Sequence, residues 1–206
     1  MKKILIHGSG HKADSWNKVI TYMNNDKELL YPNLSEILKG KEASYDNLYN
    51  SFVEYCNKID GKIDLCGLSL GGILALNYAI DYPDKVKSLV LIGTPHKVPK
   101  VMFSIQNIIF KFLPKSMFDT MAFNKKDTFI LGKTMKNIDF SNRVQNIKCQ
   151  TLIICGEKDN ANLKSAHYLA ENIENAKLEI MKNTGHIINE ESPKELAKTL
   201  TEFWKD

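Results

Sequence analysis

Short apolar runs alternate with longer stretches of helical periodicity along this chain, and that alternation constrains its fold more than any other feature. The apolar runs fall at 3–7, 29–32, 63–67, 88–93, 151–155 and 177–181, and the helical stretches at 15–25, 46–58, 70–82, 163–173 and 193–204. Thr151-Leu152-Ile153-Ile154-Cys155-Gly156 carries no charge and little polarity, the pattern of a strand covered on both faces. Alternation of this kind builds a parallel sheet with helices on both sides. At 206 residues and 43% hydrophobic composition, the chain can bury about 70% of its unfolded surface, enough for one three-layer core.

The charge balance narrows the function. Twenty-eight basic and 24 acidic residues give a net charge of +4, scattered without a continuous basic stripe, so nucleic acid is not an expected partner. Met1-Lys2-Lys3 is basic, but His7-Gly8 cuts off the apolar run behind it, which is too brief for a signal peptide. No stretch is long enough to span a membrane. Cysteines at 56, 66, 149 and 155 show no metal-ligand pairing. They are expected to be reduced, largely apolar core residues of a cytoplasmic protein.

Gly67-Leu68-Ser69-Leu70-Gly71 carries the chemistry. The strand-like Ile63-Asp64-Leu65-Cys66 leads into it and a helical run from Gly72 to Tyr82 follows, the setting of a nucleophile elbow. A serine on such a sharp turn has its hydroxyl pushed out of the sheet, and glycines two positions away avoid collision with the backbone. The same turn aims the Leu70 N–H and the helix N-terminus at negative charge forming on a substrate carbonyl.

A hydroxyl becomes a useful nucleophile when a base takes its proton, and the base needs a third group to fix its tautomer. Of the histidines at 7, 11, 96, 167 and 186, His186 has the best setting, in a loop after the strand-like Lys177–Met181 and before Ser192-Pro193. Open parallel sheets place their active sites in such loops. His167 falls inside a helical stretch, and His96 follows Thr94-Pro95 beyond another strand, bordering the same edge. The acid is expected at Asp159, where the apolar run 151–156 exits, with Glu157 as the alternative two residues earlier. Ser69, Asp159, His186 is one of the known chain orders of a catalytic triad.

Lys2-Lys3-Ile4-Leu5-Ile6 forms a strand ending in His7-Gly8-Ser9-Gly10, with Trp16 opening the next helix. An oxyanion calls for two N–H donors; Leu70 supplies one and Ser9 is assigned the second. The loop lacks the Gly-Lys-Ser/Thr ending of a phosphate-binding loop. His7 reads as structural.

These pieces together resemble the α/β-hydrolase family, in order from Lys3 to Trp204: His7-Gly8-Ser9-Gly10 with Trp16, Gly67-Leu68-Ser69-Leu70-Gly71-Gly72, Tyr82-Pro83-Asp84-Lys85-Val86 leading into Leu89–Gly93, Gly156-Glu157-Lys158-Asp159, and Gly185-His186. The resemblance implies a three-layer α/β-hydrolase fold in one domain, residues 1–206. It also implies Ser69 as nucleophile, His186 as general base and acid, Asp159 as orienting carboxylate, and N–H donors at Ser9 and Leu70. The chain begins at the His-Gly strand, so a mostly parallel sheet of about six strands is expected. Gln150 stands where relatives often carry proline, and no proline follows Asp159 in its loop.

Residues 96–146 separate two strands by far more than a crossover helix needs and are read as a helical cap insertion. Val101–Leu113 is helical and apolar on more than one face. Its side chains either pack the cap onto the core or line an acyl pocket, with Met102, Phe103 and Phe110 assigned to substrate and Met117, Phe118, Met121 and Phe123 as further candidates. The expected activity is serine hydrolysis of a small, mostly apolar carboxylic ester or thioester, with no metal or organic cofactor. Acyl transfer by the same triad and ligand sensing with little turnover are the alternatives. Oligomeric state is not readable from the sequence.

Overall fold

The computed structural model describes residues 1–24, 26–98, 118 and 120–205. Six strands, β1 (Lys3–Ile6), β2 (Leu29–Leu30), β3 (Ile63–Leu68), β4 (Val86–Ile92), β5 (Gln150–Gly156) and β6 (Ala176–Met181), form a sheet in the order β2-β1-β3-β4-β5-β6. Every neighbouring pair is parallel, so the expected α/β class and strand number both hold. The second strand is shorter than the 29–32 expected. Pro32, with no N–H to give a ladder, follows it closely.

The described helices are α1 (Asn17–Tyr22), α2 (Leu34–Ile37), α3 (Tyr45–Asn57), α4 (Leu70–Asp81), α5 (Lys125–Met135), α6 (Leu163–Asn172), α7 (Ile188–Glu191) and α8 (Pro193–Phe203). The stretch expected to be one helix over 15–25 is a 3₁₀ turn, Ala13–Trp16, followed by α1. Neither α2 nor α7 shows in the sequence pattern, because four residues are too few to display a period.

Side chains alternate across the strands into two cores. Ile4, Ile6, Leu65, Leu89, Leu91, Ile153 and Cys155 face a cluster shared with α3, α4, α5 and α6. On the other face, Leu5, Cys66, Leu68, Val90, Ile92, Leu152 and Ile154 join Trp16, Val19, Leu196 and Leu200. Both faces are covered, which explains why the strands read as continuous apolar runs. Helix α4 is buried from Leu70 to Ile80, as expected of a helix with almost no polar side.

Lys97 and Asp139 form an antiparallel bridge that draws the two ends of the 96–146 segment together. Within it, Asn124 caps α5 by accepting the Asp127 N–H, and Phe123, Leu131, Met135 and Phe140 are buried in the first cluster. The Tyr45 N–H donates to Thr134 Oγ1 at 2.9 Å, fixing α5 against the start of α3. The expected helix at 101–113, with Met102, Phe103 and Phe110, and the candidate Met117 lie outside the described residues. Among the described residues no helix is long and apolar enough to cross a membrane.

Candidate active site

Strand β3 ends at Leu68 and α4 begins at Leu70, leaving Ser69 alone on the turn with φ 54° and ψ −110°. A positive φ on a residue with a Cβ costs about 1–3 kcal/mol and persists only where the surroundings enforce it. Here the surroundings are backbone. A Cβ on Gly67 would lie 2.2 Å from the Gly71 carbonyl oxygen, and one on Gly71 would lie 2.2 Å from that of Ile6. The Ser69 N–H donates to Ile92 O and its carbonyl accepts from the Ile73 N–H, both at 2.9 Å. Ser69 itself stays partly exposed. Leu70 is the first residue of α4, so its N–H has no acceptor within the helix and points out of the positive end of the helix dipole.

Two strands along, β5 delivers Asp159, which is buried while the His186 side chain remains 39% exposed. His186 Nδ1 lies 2.7 Å from Asp159 Oδ2. A carboxylate that close requires the proton on Nδ1, which leaves the Nε2 lone pair free to accept one. Asn162 Nδ2 donates to both carboxylate oxygens, at 3.0 and 2.9 Å, and reaches within 3.3 Å of His186 Nδ1. Burial pushes the Asp159 carboxyl up, but the hydrogen bonds from His186 and Asn162 outweigh it and hold the pKa below the usual carboxylate value.

The loops carrying Asp159 and His186 are fastened to each other. The Lys158 N–H donates to Thr184 O at 2.9 Å, and the approach is so close that a Cβ on Gly156 would sit 2.0 Å from the Gly185 carbonyl oxygen. Glu157, the alternative acid, is occupied otherwise: it accepts the Asn183 N–H at 2.8 Å and so pins the histidine loop where Asn183 takes φ 58°. Glu191 grips the backbone on both sides of His186, accepting from Gly185 at 2.7 Å and Ile187 at 3.1 Å. Gly93 completes the floor, since a Cβ there would meet His186 Nδ1 at 2.9 Å and Asp159 Oδ2 at 3.2 Å. Adjacent strands β3, β4 and β5 thus end at Ser69, Gly93 and the Asp159 loop, at the carboxyl edge where parallel sheets hold their sites.

On the other side of Ser69 lies the loop after β1. His7 is fully buried; its Nδ1 donates to Gly8 O at 2.8 Å, and its Nε2 accepts the Leu34 N–H at 3.0 Å. Burial drives its pKa down to about 4, so it is a neutral brace. It holds a loop in which a Cβ on Gly8 would lie 3.6 Å from Ser69 Cβ and 3.4 Å from His11 Nδ1. Ser9, the second expected donor, is partly exposed on this loop. His167 is exposed on α6. His96 is buried, with Nδ1 3.0 Å from Ser165 Oγ and its ring stacked on Tyr168 at 4.1 Å, engaged in packing. Of the cap candidates that are described, Phe118 and Phe123 are buried and Met121 is partly exposed.

Sequence reasoning gave no role to Asn162, Glu191 or Gly93, although Gly93 closes the Leu89–Gly93 stretch and Asn162 stands three residues beyond Asp159, just before α6. Among the described residues no group of three or more His, Cys, Asp or Glu could hold a metal ion. All four cysteines are free, three of them buried.

A model of the alpha/beta hydrolase fold matches residues 4–131. Monoacylglycerol lipase ABHD6 of Mus musculus is 23% identical over 97% of this chain and 74% of its own length. The pimeloyl-acyl-carrier-protein methyl ester esterase of Wigglesworthia glossinidia brevipalpis is 28% identical, over 76% of this chain and 74% of its own. Among solved structures, a thermophilic esterase from Thermogutta terrifontis superposes with a TM-score of 0.83 at 18% identity, covering 100% of this chain and 89% of that one. With the family model spanning more than half of the chain and the six-stranded sheet carrying its serine on a strained turn, the protein belongs to the α/β-hydrolase fold family.

Proposed function

We propose that this protein is a serine hydrolase that cleaves a small, mostly apolar carboxylic ester or thioester through an acyl-enzyme intermediate. Ser69 Oγ attacks the acyl carbon as His186 Nε2 takes its proton, and Asp159 stabilises the imidazolium that forms. The N–H groups of Ser9 and Leu70 receive the oxyanion. His186 then protonates the departing alcohol or thiol, leaving the acyl group on Ser69. Water, deprotonated by His186, attacks that ester, and the imidazolium returns the proton to Ser69 Oγ as the acyl–oxygen bond breaks and the carboxylic acid leaves. Each step moves one proton between named groups, and none calls on a cofactor.

The observation that carries this reading is the 2.7 Å contact between His186 Nδ1 and Asp159 Oδ2, at the same strand edge that holds Ser69 on its turn. The names of the relatives, a lipase and an esterase, support an ester bond as the target. Residues 96–146 are read as a cap over Ser69 within one domain, its apolar side chains, Met102, Phe103 and Phe110 among them, accounting for an apolar acyl part. Four free cysteines suit a reducing compartment, consistent with a cytoplasmic enzyme.

Turnover of p-nitrophenyl butyrate by the wild-type chain and by Ser69→Ala tests the reading. The variant is expected to keep its circular dichroism and melting temperature while losing on the order of 10⁴-fold or more in kcat. Full turnover by the folded variant would overturn the assignment.

A further inference from the structure

The imidazole of His186 stands on a connection between β6, which ends at Met181, and α7, which begins at Ile188. Among the described residues, the N–H groups of Gly185 and Ile187, on either side of it, have no backbone acceptor. One side chain takes both. Glu191 Oε2 accepts from Gly185 at 2.7 Å and Oε1 accepts from Ile187 at 3.1 Å, so the carboxylate straddles the residue that bears the imidazole. The Glu191 N–H in turn donates to Ile187 O at 2.9 Å, closing a ring between the end of α7 and the residue after His186. This resembles a capping box, in which a side chain and a backbone group satisfy each other across one turn.

Two features of the contact select its residues. Each oxygen serves a different N–H, and a carboxylate offers two acceptors and no donor; a glutamine would turn its NH2 group against one of the two N–H groups. The other feature is the glycine at 185. It does not have a positive φ, so its backbone conformation does not ask for glycine. A Cβ there would lie 3.0 Å from Glu191 Oε1, 3.2 Å from Oε2 and 3.5 Å from Cδ, and these are the nearest atoms it would meet. The missing side chain leaves the space through which the carboxylate reaches the backbone.

We infer that Glu191 is a positioning residue for His186, and that residue 185 is glycine to let it act. Asp159 orients the ring from its Nδ1 side at 2.7 Å, while Glu191 fixes the main chain that carries the ring. Glu191 acts through His186 and is not itself a catalytic residue. A base must sit within a fraction of an ångström of its working place, so loosening its backbone lowers the rate of proton transfer more than it weakens substrate binding. The inference rests on the ester-hydrolase reading and adds to it the group that holds the base in register.

The test compares Glu191→Ala, Glu191→Gln, Gly185→Ala and the double variant of Gly185→Ala with Glu191→Ala on p-nitrophenyl butyrate. Glu191 is exposed, so these changes leave the core intact. Relative to wild type, kcat is expected to fall about tenfold in both Glu191 variants and about threefold in Gly185→Ala, with KM and melting temperature little changed. In the double variant the methyl at 185 meets no carboxylate, so it should add nothing to the loss from Glu191→Ala. Ring-nitrogen shifts of isotope-labelled histidine report the tautomer of His186 without any substrate. They should show the Nδ1–H form in wild type and a mixture in Glu191→Ala. Additive losses, kcat equal to wild type in Glu191→Ala, or an unchanged tautomer in that variant would overturn the inference while wild-type turnover keeps the hydrolase reading. A tautomer that depends on Glu191 in a chain that hydrolyses no ester would sink that reading and keep the positioning role.

Discussion

Two glycine-bearing turns meet beside Ser69, one after β3 and one after β1, and they are held in different ways. The turn after β3 is fixed by backbone against backbone: no Cβ fits at Gly67 or Gly71, and Ser69 is forced into positive φ. The turn after β1 has room. A Cβ on Gly8 would meet its nearest neighbour at 3.4 Å, and one on Gly10 would meet nothing within 4 Å. A buried imidazole, His7, bonded at both ring nitrogens, braces it, beside the backbone bond from the His11 N–H to Gly8 O at 3.2 Å. The turn that holds Ser69 is built from groups that cannot rotate, whereas the loop after β1 relies on side chains.

The sharpest way to break this comparison is Gly71→Ala. The added methyl would overlap the Ile6 carbonyl, and the variant is expected to lose more than about 3 kcal/mol of stability or fail to fold, read by urea unfolding. A mild effect would show that the turn has slack. Asp159→Asn comes next. It keeps the shape but disturbs the tautomer of His186, and kcat on p-nitrophenyl butyrate should fall on the order of 10⁴-fold with the melting temperature little changed. A larger loss in Glu157→Gln would reassign the acid.

Asn162→Ala separates support of the acid from the acid itself. Its two hydrogen bonds help hold the Asp159 carboxyl below its ordinary pKa, so removal should lower kcat/KM about tenfold and raise the pH at which that carboxyl titrates, read from its carbon chemical shift. An unshifted carboxyl titration would contradict the role. The stability that Asp159 contributes is present above the ordinary carboxylate range and is lost as pH falls below it, and Asn162→Ala should shrink that contribution.

The brace on the β1 turn has its own pH signature. His7 is protonated at 6.5 when unfolded and at about 4 when folded. Between those values the unfolded chain binds the extra proton, so stability is complete above pH 6.5 and falls by about 3 kcal/mol on acidification to pH 4. His7→Gln, which keeps an acceptor for the Leu34 N–H, should flatten that slope in denaturant titrations at several pH values. A slope identical to wild type would remove His7 as the brace. The smallest effect is expected at Gly10→Ala, within about 1 kcal/mol and stabilising through the unfolded chain. A large loss there would erase the contrast between the turns.

The sheet and the turn after β3 could be read from the sequence because local patterns determine them. Apolar runs such as 151–155 need cover on both faces, and a serine between glycines at that spacing has few other uses next to a strand. The contact between His186 and Asp159 follows from two loops that the sequence places at strand ends. The groups that hold those loops could not be read that way. Glu191 acts through backbone N–H groups on both sides of His186, and Glu157 looks like a second acid until its bond to Asn183 is seen. His11 gains its position from Glu190, far along the chain, and no periodicity announces such a pairing. The expected run 29–32 included Pro32, and the shorter strand, Leu29–Leu30, shows only in the parallel ladder.

The central claim is that Ser69 is an activated nucleophile, made so by His186 and Asp159 acting together. Intact-mass and peptide-mass measurement after treatment with a fluorophosphonate tests it most directly. One adduct per chain, on the peptide containing Ser69 and absent from His186→Ala, is the predicted result. An adduct on another residue, or equal labelling of Ser69 without the imidazole, would contradict the account.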